Sequence, residues 1–300
     1  MSTEPPATAQ STPPTATAQP TPPTATAQPT PPTADELGEG EHSPTTAAPA
    51  GALRLVWVYP DLLSTYGDRG NLLILARRAE RRGIAVDSVE VRSDQPLPPD
   101  GDIYLLGGGE DGPQALAAAR LVADGELHRA AARGSVVFAV CAGYQLLGQS
   151  FFAKGTECSG LGLLDLRSDR GPTRAVGELA GTVDPTLGLP TLTGFENHGG
   201  RTHLGPEATP LARVRVGVGN DGATEGAWHG SVLGTYLHGP ALARNPALAD
   251  LLLRWALRSR SATSGLATGA ATSALPDLAE IDDQWPQRLR AERLNAVGAR

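Results

Sequence analysis

Lysine and cysteine are scarce in this 300-residue chain. Lys154 is the only lysine and the formal net charge is −7 at pH 7, so nucleic acid and anionic membrane surfaces are not expected as partners. The two cysteines, Cys141 and Cys158, are too few for a disulfide framework and lack the spacing of a metal site. We therefore predict free thiols, no bound metal and a cytoplasmic location.

Long apolar runs and a phosphate-binding motif are also absent. No run reaches the roughly 20 apolar residues that a membrane span requires, and residues 1–6 lack the basic and apolar parts of a signal peptide. Because no G-x-x-x-x-G-K-S/T motif occurs, the chain is not expected to bind ATP through a phosphate-binding loop. No cofactor is predicted in this chain.

The composition divides the chain into three regions. Residues 1–52 contain almost no large apolar side chain, and residues 12–34 repeat the unit TPPTATAQP, which predicts a solvated, disordered tail. Residues 53–258 alternate apolar runs with turn signals and predict one substantial domain. Residues 259–300 form a low-complexity C-terminal tail with a short polar helix predicted at about 284–295.

Within the domain, apolar segments alternate with helical patterns. Strands are predicted at 53–59, 86–91, 103–106 and 135–140, and helices begin near residues 71, 113, 126 and 142. This order predicts an α/β fold with a mostly parallel sheet and helices on both faces. Short β-rich segments between 176 and 237 predict an antiparallel extension, and Asn245-Pro246 begins an amphipathic helix that ends near Leu257.

The strongest local signal is Cys141. It directly follows an apolar strand and precedes Ala142 and Gly143, where a helix begins, which is the arrangement of a nucleophile elbow. The helix N-terminus is expected to lower the pKa of the thiol, and the N–H of Ala142 is a natural oxyanion donor. The alternative is a buried, inert cysteine, which is the interpretation that we give to Cys158.

A glycine-rich loop and a histidine complete the predicted site. Residues 107–112, Gly-Gly-Gly-Glu-Asp-Gly, follow the third strand, and their backbone amides can approach a ligand closely. His238 ends another apolar strand, at the edge of the sheet where ligands bind, and is predicted to activate Cys141 as a base. His198 lies in a predicted polar loop, 194–201, and is the second candidate for the base.

Several motifs together carry a family resemblance. They are V-C-A-G-Y-Q around Cys141, L-G-G-G-E-D at 106–111, G-F-E-N-H-G-G-R at 194–201, Y-L-H-G-P at 236–240 and S-T-Y-G-D-R-G-N at 64–71. Over residues 53–258 the chain resembles the class I glutamine amidotransferases of the cobyric-acid-synthase type, and among them the amidotransferase subunits of bacterial lipid II isoglutaminyl synthases. The resemblance implies a flavodoxin-like fold and hydrolysis of L-glutamine to glutamate and ammonia.

The same resemblance implies roles for individual residues. Cys141 would be the nucleophile, His238 the base and Arg174 a contact to the substrate glutamine. The backbone amides of Gly109 and Ala142 would hold the oxyanion. Further substrate contacts are predicted within the matched motifs: Gln145, Asn197 and His198.

A partner is implied as well. Ammonia would pass to a Mur-ligase-like synthetase subunit, which would bind ATP and amidate the D-glutamate of lipid II. Many class I relatives carry Glu two residues after the histidine, whereas this chain has Pro240. Without that carboxylate the imidazole is less well oriented. The resemblance suggests that the partner supplies the acid, so the isolated chain is predicted to be a poor glutaminase.

Two other functions fit parts of the pattern. A free-standing cysteine hydrolase or peptidase would use the same elbow without a partner and without preference for glutamine. A non-catalytic binding module on an amidotransferase fold would not need Cys141. The matches at Arg174 and 194–201 disfavour the first alternative, and the presence of both Cys141 and His238 disfavours the second.

Overall fold

A computed structural model describes residues 49, 51–64, 68–263 and 275–298. These residues belong to one compact unit, residues 42–300. Most of the predicted disordered tail, 1–52, lies outside the described residues, as do residues 65–67 of the S-T-Y-G-D-R-G-N segment. The predicted disorder and the domain boundaries therefore stay predictions.

Twelve strands and seven α-helices are assigned within the described residues. The strands are β1 Leu53–Val58, β2 Val86–Val91, β3 Ile103–Leu106, β4 Val136–Val140, β5 Ser150–Ala153, β6 Thr156–Ser159, β7 Leu166–Val183, β8 Leu192–Leu204, β9 Ala212–Val216, β10 Thr224–Glu225, β11 Ala227–His229 and β12 Val232–Thr235. The helices are α1 Arg69–Glu80, α2 Asp111–Asp124, α3 Glu126–Ala132, α4 Ala142–Leu146, α5 Ala241–Arg244, α6 Pro246–Thr263 and α7 Gln284–Ala296.

The larger sheet has the strand order β11-β12-β4-β3-β1-β2. All neighbours pair in parallel except β11, which is antiparallel to β12. Every residue of β1, β3 and β4 is buried. Since successive side chains point to opposite faces, both faces of these central strands are covered. The predicted α/β fold with a mostly parallel sheet is confirmed.

Two strands, β11 and β12, belong to the larger sheet and not to the antiparallel extension in which we expected their residues. We expected the segment 232–237 in the antiparallel extension, but β12 pairs in parallel with β4 in the larger sheet, with Val232 opposite Val137. The residues of β12 are all buried, as in a central strand. A short apolar run predicts a buried strand but carries no information about its neighbour.

The second sheet has the order β10-β9-β7-β5-β6, with β8 paired to β7. Strands β5 and β6 were not predicted, and β7 and β8 are far longer than expected. The predicted polar loop 194–201 is instead part of β8, because residues such as Asn197 and His198 pair with Val176 and Ala175 of β7. Polar side chains hide the alternating apolar pattern by which a strand is usually recognised. The strand forms because its backbone pairs with β7 over most of its length.

The C-terminal region packs on the domain. Helix α6 runs to Thr263, beyond the boundary predicted at 258, and α7 lies where a short helix was predicted. Arg78 of α1 forms ion pairs with Asp250 of α6 at 2.7 Å and with Asp283 at 2.6 Å. These contacts connect the segment before α7 to two helices of the domain. In the described part of the chain, no helix is long and apolar enough to cross a membrane.

Candidate active site

Cys141 lies at a sharp turn between β4 and α4. Its φ of 54° and ψ of −108° are a strained backbone conformation for a residue with a side chain. The N–H of Cys141 donates to the carbonyl of Thr235 at 2.9 Å, which ties the turn to β12. A Cβ on Gly143 would lie 2.8 Å from the oxygen of Gly107, so the turn needs glycine at that position. The predicted nucleophile elbow is therefore present.

The pKa of the Cys141 thiol is raised, whereas we predicted that it would be lowered. Burial, with a smaller contribution from the neighbouring Asp68 carboxyl, raises the pKa to about 12. The N–H of Ala142 lowers the pKa, in the direction expected of a helix N-terminus. Burial is the larger effect because α4 is only five residues long and Cys141 is 8% exposed. The thiol is therefore protonated at neutral pH and needs a base.

Three reactive groups surround Gly108 in the glycine-rich loop. A Cβ built on Gly108 would lie 3.4 Å from Cε1 of His238, 3.4 Å from Oδ2 of Asp68 and 3.5 Å from Cβ of Cys141. The side chains of His238, Asp68 and Cys141 therefore all lie next to Gly108. The next residue, Gly109, lies beside Ala142, whose Cβ would be 3.8 Å from a Cβ on Gly109. The two predicted oxyanion donors are thus neighbours.

His238 follows β12 at the carboxyl end of the larger sheet and is 1% exposed. Its N–H donates to the carbonyl of Phe195 at 2.8 Å, and the N–H of Phe195 donates back at 3.2 Å. Burial lowers the pKa of His238 to about 4, and electrostatic interactions with His198 and Arg174 contribute in the same direction. The imidazole is therefore neutral at physiological pH and has a nitrogen that can accept a proton.

Asp68 is a site residue that we did not predict. It precedes α1, and its Oδ2 accepts the N–H of Gly108 at 2.6 Å. Burial raises the pKa of Asp68 to about 7, although the Gly108 hydrogen bond lowers it. A sequence signal existed: Asp68 follows β1 at the edge where parallel strands end, in one of the motifs that carry the resemblance.

A cavity of about 400 Å³ opens beside Cys141. The glycine-rich loop and the elbow line one side, and the hairpin of β7 and β8 lines the other. Seven of the predicted site residues line this cavity: Gly109, Cys141, Ala142, Gln145, Arg174, Asn197 and His198. The eighth, His238, does not line the cavity. Its ring and the Cys141 side chain both lie next to Gly108.

Arg174 and Gln145 have different surroundings in this cavity. Arg174 is exposed at the mouth, where its Nε donates to Oδ1 of Asn197 at 2.6 Å. Gln145 is buried, and its side chain bonds within the protein: Oε1 accepts from Gln114 at 2.8 Å and Nε2 donates to the hydroxyl of Tyr236 at 3.1 Å. This geometry suits Arg174 to bind a carboxylate and Gln145 to support the cavity floor.

His198 is not available as the base of Cys141. Its Nδ1 lies 3.1 Å from the carbonyl of Gly200 and its Nε2 lies 3.1 Å from Oε2 of Glu196. Both ring nitrogens are therefore engaged with protein acceptors. No group of three or more His, Cys, Asp or Glu side chains that could hold a metal ion occurs among the described residues.

Comparison with known proteins identifies the family. Residues 54–246 match the model of the CobB/CobQ-like glutamine amidotransferase domain. The chain belongs to this glutamine amidotransferase family. The resemblance predicted from the motifs is confirmed, and so is the prediction that the protein is a glutamine amidotransferase.

Similar proteins include two subunits of one enzyme type. The GatD subunit of the glutamine-hydrolysing lipid II isoglutaminyl synthase from Staphylococcus aureus is 39% identical over 198 residues, which cover 64% of this chain and 79% of that protein. The GatD subunit from Streptococcus pneumoniae is 36% identical over 215 residues, covering 69% and 82%. Cobyric acid synthase from Sphingopyxis alaskensis is 34% identical over 175 residues, covering 56% of this chain and 34% of that longer protein.

Proposed function

We propose that this amidotransferase hydrolyses L-glutamine through Cys141 and His238. The observation that carries the proposal is the meeting of Cys141, His238 and Asp68 around Gly108, next to a cavity of about 400 Å³ with Arg174 at its mouth. Burial keeps the Cys141 thiol protonated and the His238 imidazole neutral, so the thiol carries a proton that the imidazole is free to accept.

The first half of the reaction forms a thioester. His238 takes the proton of the Cys141 thiol as the sulfur attacks the side-chain amide carbon of glutamine. The N–H groups of Gly109 and Ala142 stabilise the negative charge that develops on the amide oxygen. The carbon–nitrogen bond then breaks, and His238 gives its proton to the leaving nitrogen, which departs as ammonia.

The second half regenerates the enzyme. Water gives a proton to His238 and attacks the thioester carbon, and the carbon–sulfur bond breaks to release glutamate. The proton held by His238 returns to the Cys141 sulfur. Arg174 at the cavity mouth is suited to bind the α-carboxylate of glutamine, with Asn197 orienting its guanidinium.

The relatives' names support a role in a two-subunit enzyme. Because both GatD proteins are subunits of lipid II isoglutaminyl synthases, we propose that this chain supplies ammonia to a Mur-ligase-like partner. That partner would bind ATP and amidate the D-glutamate carboxylate of lipid II. It would also supply a carboxylate to His238, because Pro240 stands two residues after the histidine.

Two assays test the proposal. The first measures glutamate release from L-glutamine by the full chain, with and without the Mur-ligase-like protein; strong stimulation by the partner is expected. The second measures amidation of lipid II by the complex, with glutamine or ammonium as nitrogen donor. Amidation with ammonium but not with glutamine would refute this chain as the ammonia source. Equal hydrolysis without the partner, and of other amides, would favour a free-standing hydrolase.

A further inference from the structure

The cavity beside Cys141 has charged side chains of opposite sign on its two sides. Arg174 lies on the β7–β8 hairpin, and Glu110 directly follows the glycines 107–109 on the side of the elbow. L-Glutamine carries an α-carboxylate and an α-ammonium group on one carbon atom. The proposed function gives the α-carboxylate a partner, Arg174, but gives the α-ammonium group none. An acceptor for this cation is therefore sought among the residues that line the cavity.

Three carboxylates line the cavity within the described residues: Glu110, Asp111 and Asp169. Two of them have partners in the protein. Oδ2 of Asp111 accepts the N–H of Lys154 at 3.0 Å, and Oδ2 of Asp169 lies 3.3 Å from Nε2 of His203. The carboxylate of Glu110 forms no hydrogen bond or ion pair with any other described residue. It is the one carboxylate of the three that is open to a ligand.

The position of Glu110 makes this lack of a partner informative. Glu110 is the residue from which α2 begins, with φ −88° and ψ 160°. Polar side chains at this position commonly accept an N–H of the first helical turn. The Glu110 side chain makes no such hydrogen bond. Its carboxylate therefore lines the cavity without serving the end of its own helix.

The backbone of Glu110 is fixed next to the nucleophile elbow. Its carbonyl accepts the N–H of Gln114 at 2.9 Å, and Nε2 of Gln114 donates to the carbonyl of Ala142 at 3.2 Å. Ala142 directly follows Cys141, so these two bonds hold the first turn of α2 against the elbow. Glu110 also follows Gly109, the proposed oxyanion donor, and consecutive Cα atoms lie only about 3.8 Å apart.

The covalent structure of glutamine places its charged end near the same elements. Three carbon–carbon bonds separate the α-carbon from the amide carbon that Cys141 attacks, so the α-carbon must lie within the cavity. Each functional group of the substrate then has a partner on a different element. The amide lies at the start of α4, the α-carboxylate at Arg174 on β7, and the α-ammonium group at Glu110 before α2.

We propose that Glu110 binds the α-ammonium group of L-glutamine and thereby selects a free amino acid as the substrate. This inference rests on the proposed function, because that function supplies the substrate and the role of Arg174. Hydrogen bonds between charged groups are roughly twice as strong as those between neutral groups. An amide that lacks the amino group, or a glutamine side chain within a peptide, would leave the Glu110 carboxylate without its cation.

Ligand binding without turnover tests the role of Glu110. The full chain carrying Cys141→Ser is titrated calorimetrically with L-glutamine and with glutaramate, which is glutamine without its amino group. We expect L-glutamine to bind about 10-fold more tightly than glutaramate, because one charge-assisted hydrogen bond is added. When Glu110→Gln is introduced as well, L-glutamine should lose about 10-fold in affinity and glutaramate should bind as before, so that the preference disappears.

Asp111→Asn in the same Cys141→Ser background is the matched control. It removes a neighbouring negative charge from the cavity lining, and asparagine still offers an oxygen to the N–H of Lys154. This variant should keep the preference for L-glutamine. A preference that persists in Glu110→Gln, or that is lost equally in Asp111→Asn, would overturn the role of Glu110 and leave the proposed function intact. Failure of the chain to bind L-glutamine at all would overturn both.

Steady-state kinetics of glutamate release give a second measurement. The α-ammonium group is remote from the bond that breaks, so Glu110 contributes equally to the binding of the substrate and of the transition state. Glu110→Gln should therefore raise KM for L-glutamine about 10-fold and leave kcat within about twofold. A fall in kcat with an unchanged KM would overturn the assignment of Glu110 to substrate binding.

Discussion

The larger parallel sheet and the β7–β8 hairpin contribute different parts of the candidate site. Cys141, His238 and Asp68 follow strands of the parallel sheet, whose central members β1, β3 and β4 are buried at every position. Arg174, Asn197 and His198 lie on the hairpin, where buried and exposed residues alternate irregularly. The proposed reacting groups thus follow strands of the buried parallel sheet, and the groups suited to bind substrate lie on the β7–β8 strand pair.

The largest expected effect tests whether the elbow carries the chemistry. Cys141→Ser should reduce glutamine hydrolysis by at least about 10³-fold, because the nucleophile and its base act as a unit. Cys158→Ser is the matched control and should stay within about twofold, since Cys158 lies on β6 away from the cavity lining. Glutamate release and thermal unfolding are measured for both. Comparable losses of activity in the two variants would contradict the assignment of the reacting groups to the parallel sheet.

His238→Gln tests the second reacting group of the parallel sheet. Loss of a general base should cost about 10²- to 10⁴-fold in hydrolysis. His198→Gln should cost less, because the ring of His198 is engaged with Glu196 and Gly200. Initial rates with saturating glutamine measure both. If His198→Gln were the more damaging change, the hairpin rather than the sheet would supply the base.

Two substitutions of Asp68 separate the effect of its negative charge on Cys141 from the effect of its hydrogen bond to Gly108. Above its pKa of about 7 the ionised carboxyl opposes formation of the Cys141 thiolate, so Asp68→Asn should speed alkylation of Cys141 at pH 8. Asn keeps an acceptor for the Gly108 N–H, whereas Asp68→Ala leaves it unsatisfied, and the second variant should hydrolyse glutamine about 10-fold more slowly than the first. Equal rates for Asn and Ala would show that the hydrogen bond does not hold the loop.

Arg174→Lys tests the hairpin. Lysine keeps the charge but loses the planar donors that bind a carboxylate in two places, so KM for glutamine should rise about 10-fold with a smaller change in kcat. Arg170→Lys is the control on the same strand, since Arg170 also lines the cavity. Steady-state kinetics separate the two constants. A fall in kcat alone would assign Arg174 to the reacting groups instead of to binding.

The smallest effect on activity is expected for Glu225, which is buried beneath the junction of the two sheets. Burial raises its pKa to about 7 in the folded protein, against about 4.3 for an unperturbed glutamate. The folded state therefore binds the proton more tightly, and the stabilisation this provides below about pH 4 is lost as pH rises to about 7. Glu225→Gln should remove about 2–3 kcal/mol of this pH dependence. Urea unfolding at pH 5 and pH 8 measures it.

Local sequence patterns predicted the position of the proposed nucleophile well, but they predicted the β7–β8 hairpin that lines the cavity poorly. Strands β1, β3 and β4 are short apolar runs, β3 is followed by Gly107 and β4 by Cys141, and a sharp turn at Cys141 follows from its small neighbours. Strand β8 was predicted only at its start, residues 192–195, because the residues that follow are mostly polar and their pairing with β7 is a long-range property. The placement of β12 beside β4 was missed for the same reason.

The sequence by itself determined the parallel α/β architecture, the elbow at Cys141 and the family, because these depend on residues adjacent in the chain. Tertiary structure decided which groups meet at Gly108, that Asp68 is one of them, and that both nitrogens of His198 face acceptors. It also reversed the predicted pKa of Cys141. A helix N-terminus is visible in a sequence, whereas the burial that outweighs it exists only after distant segments have packed together.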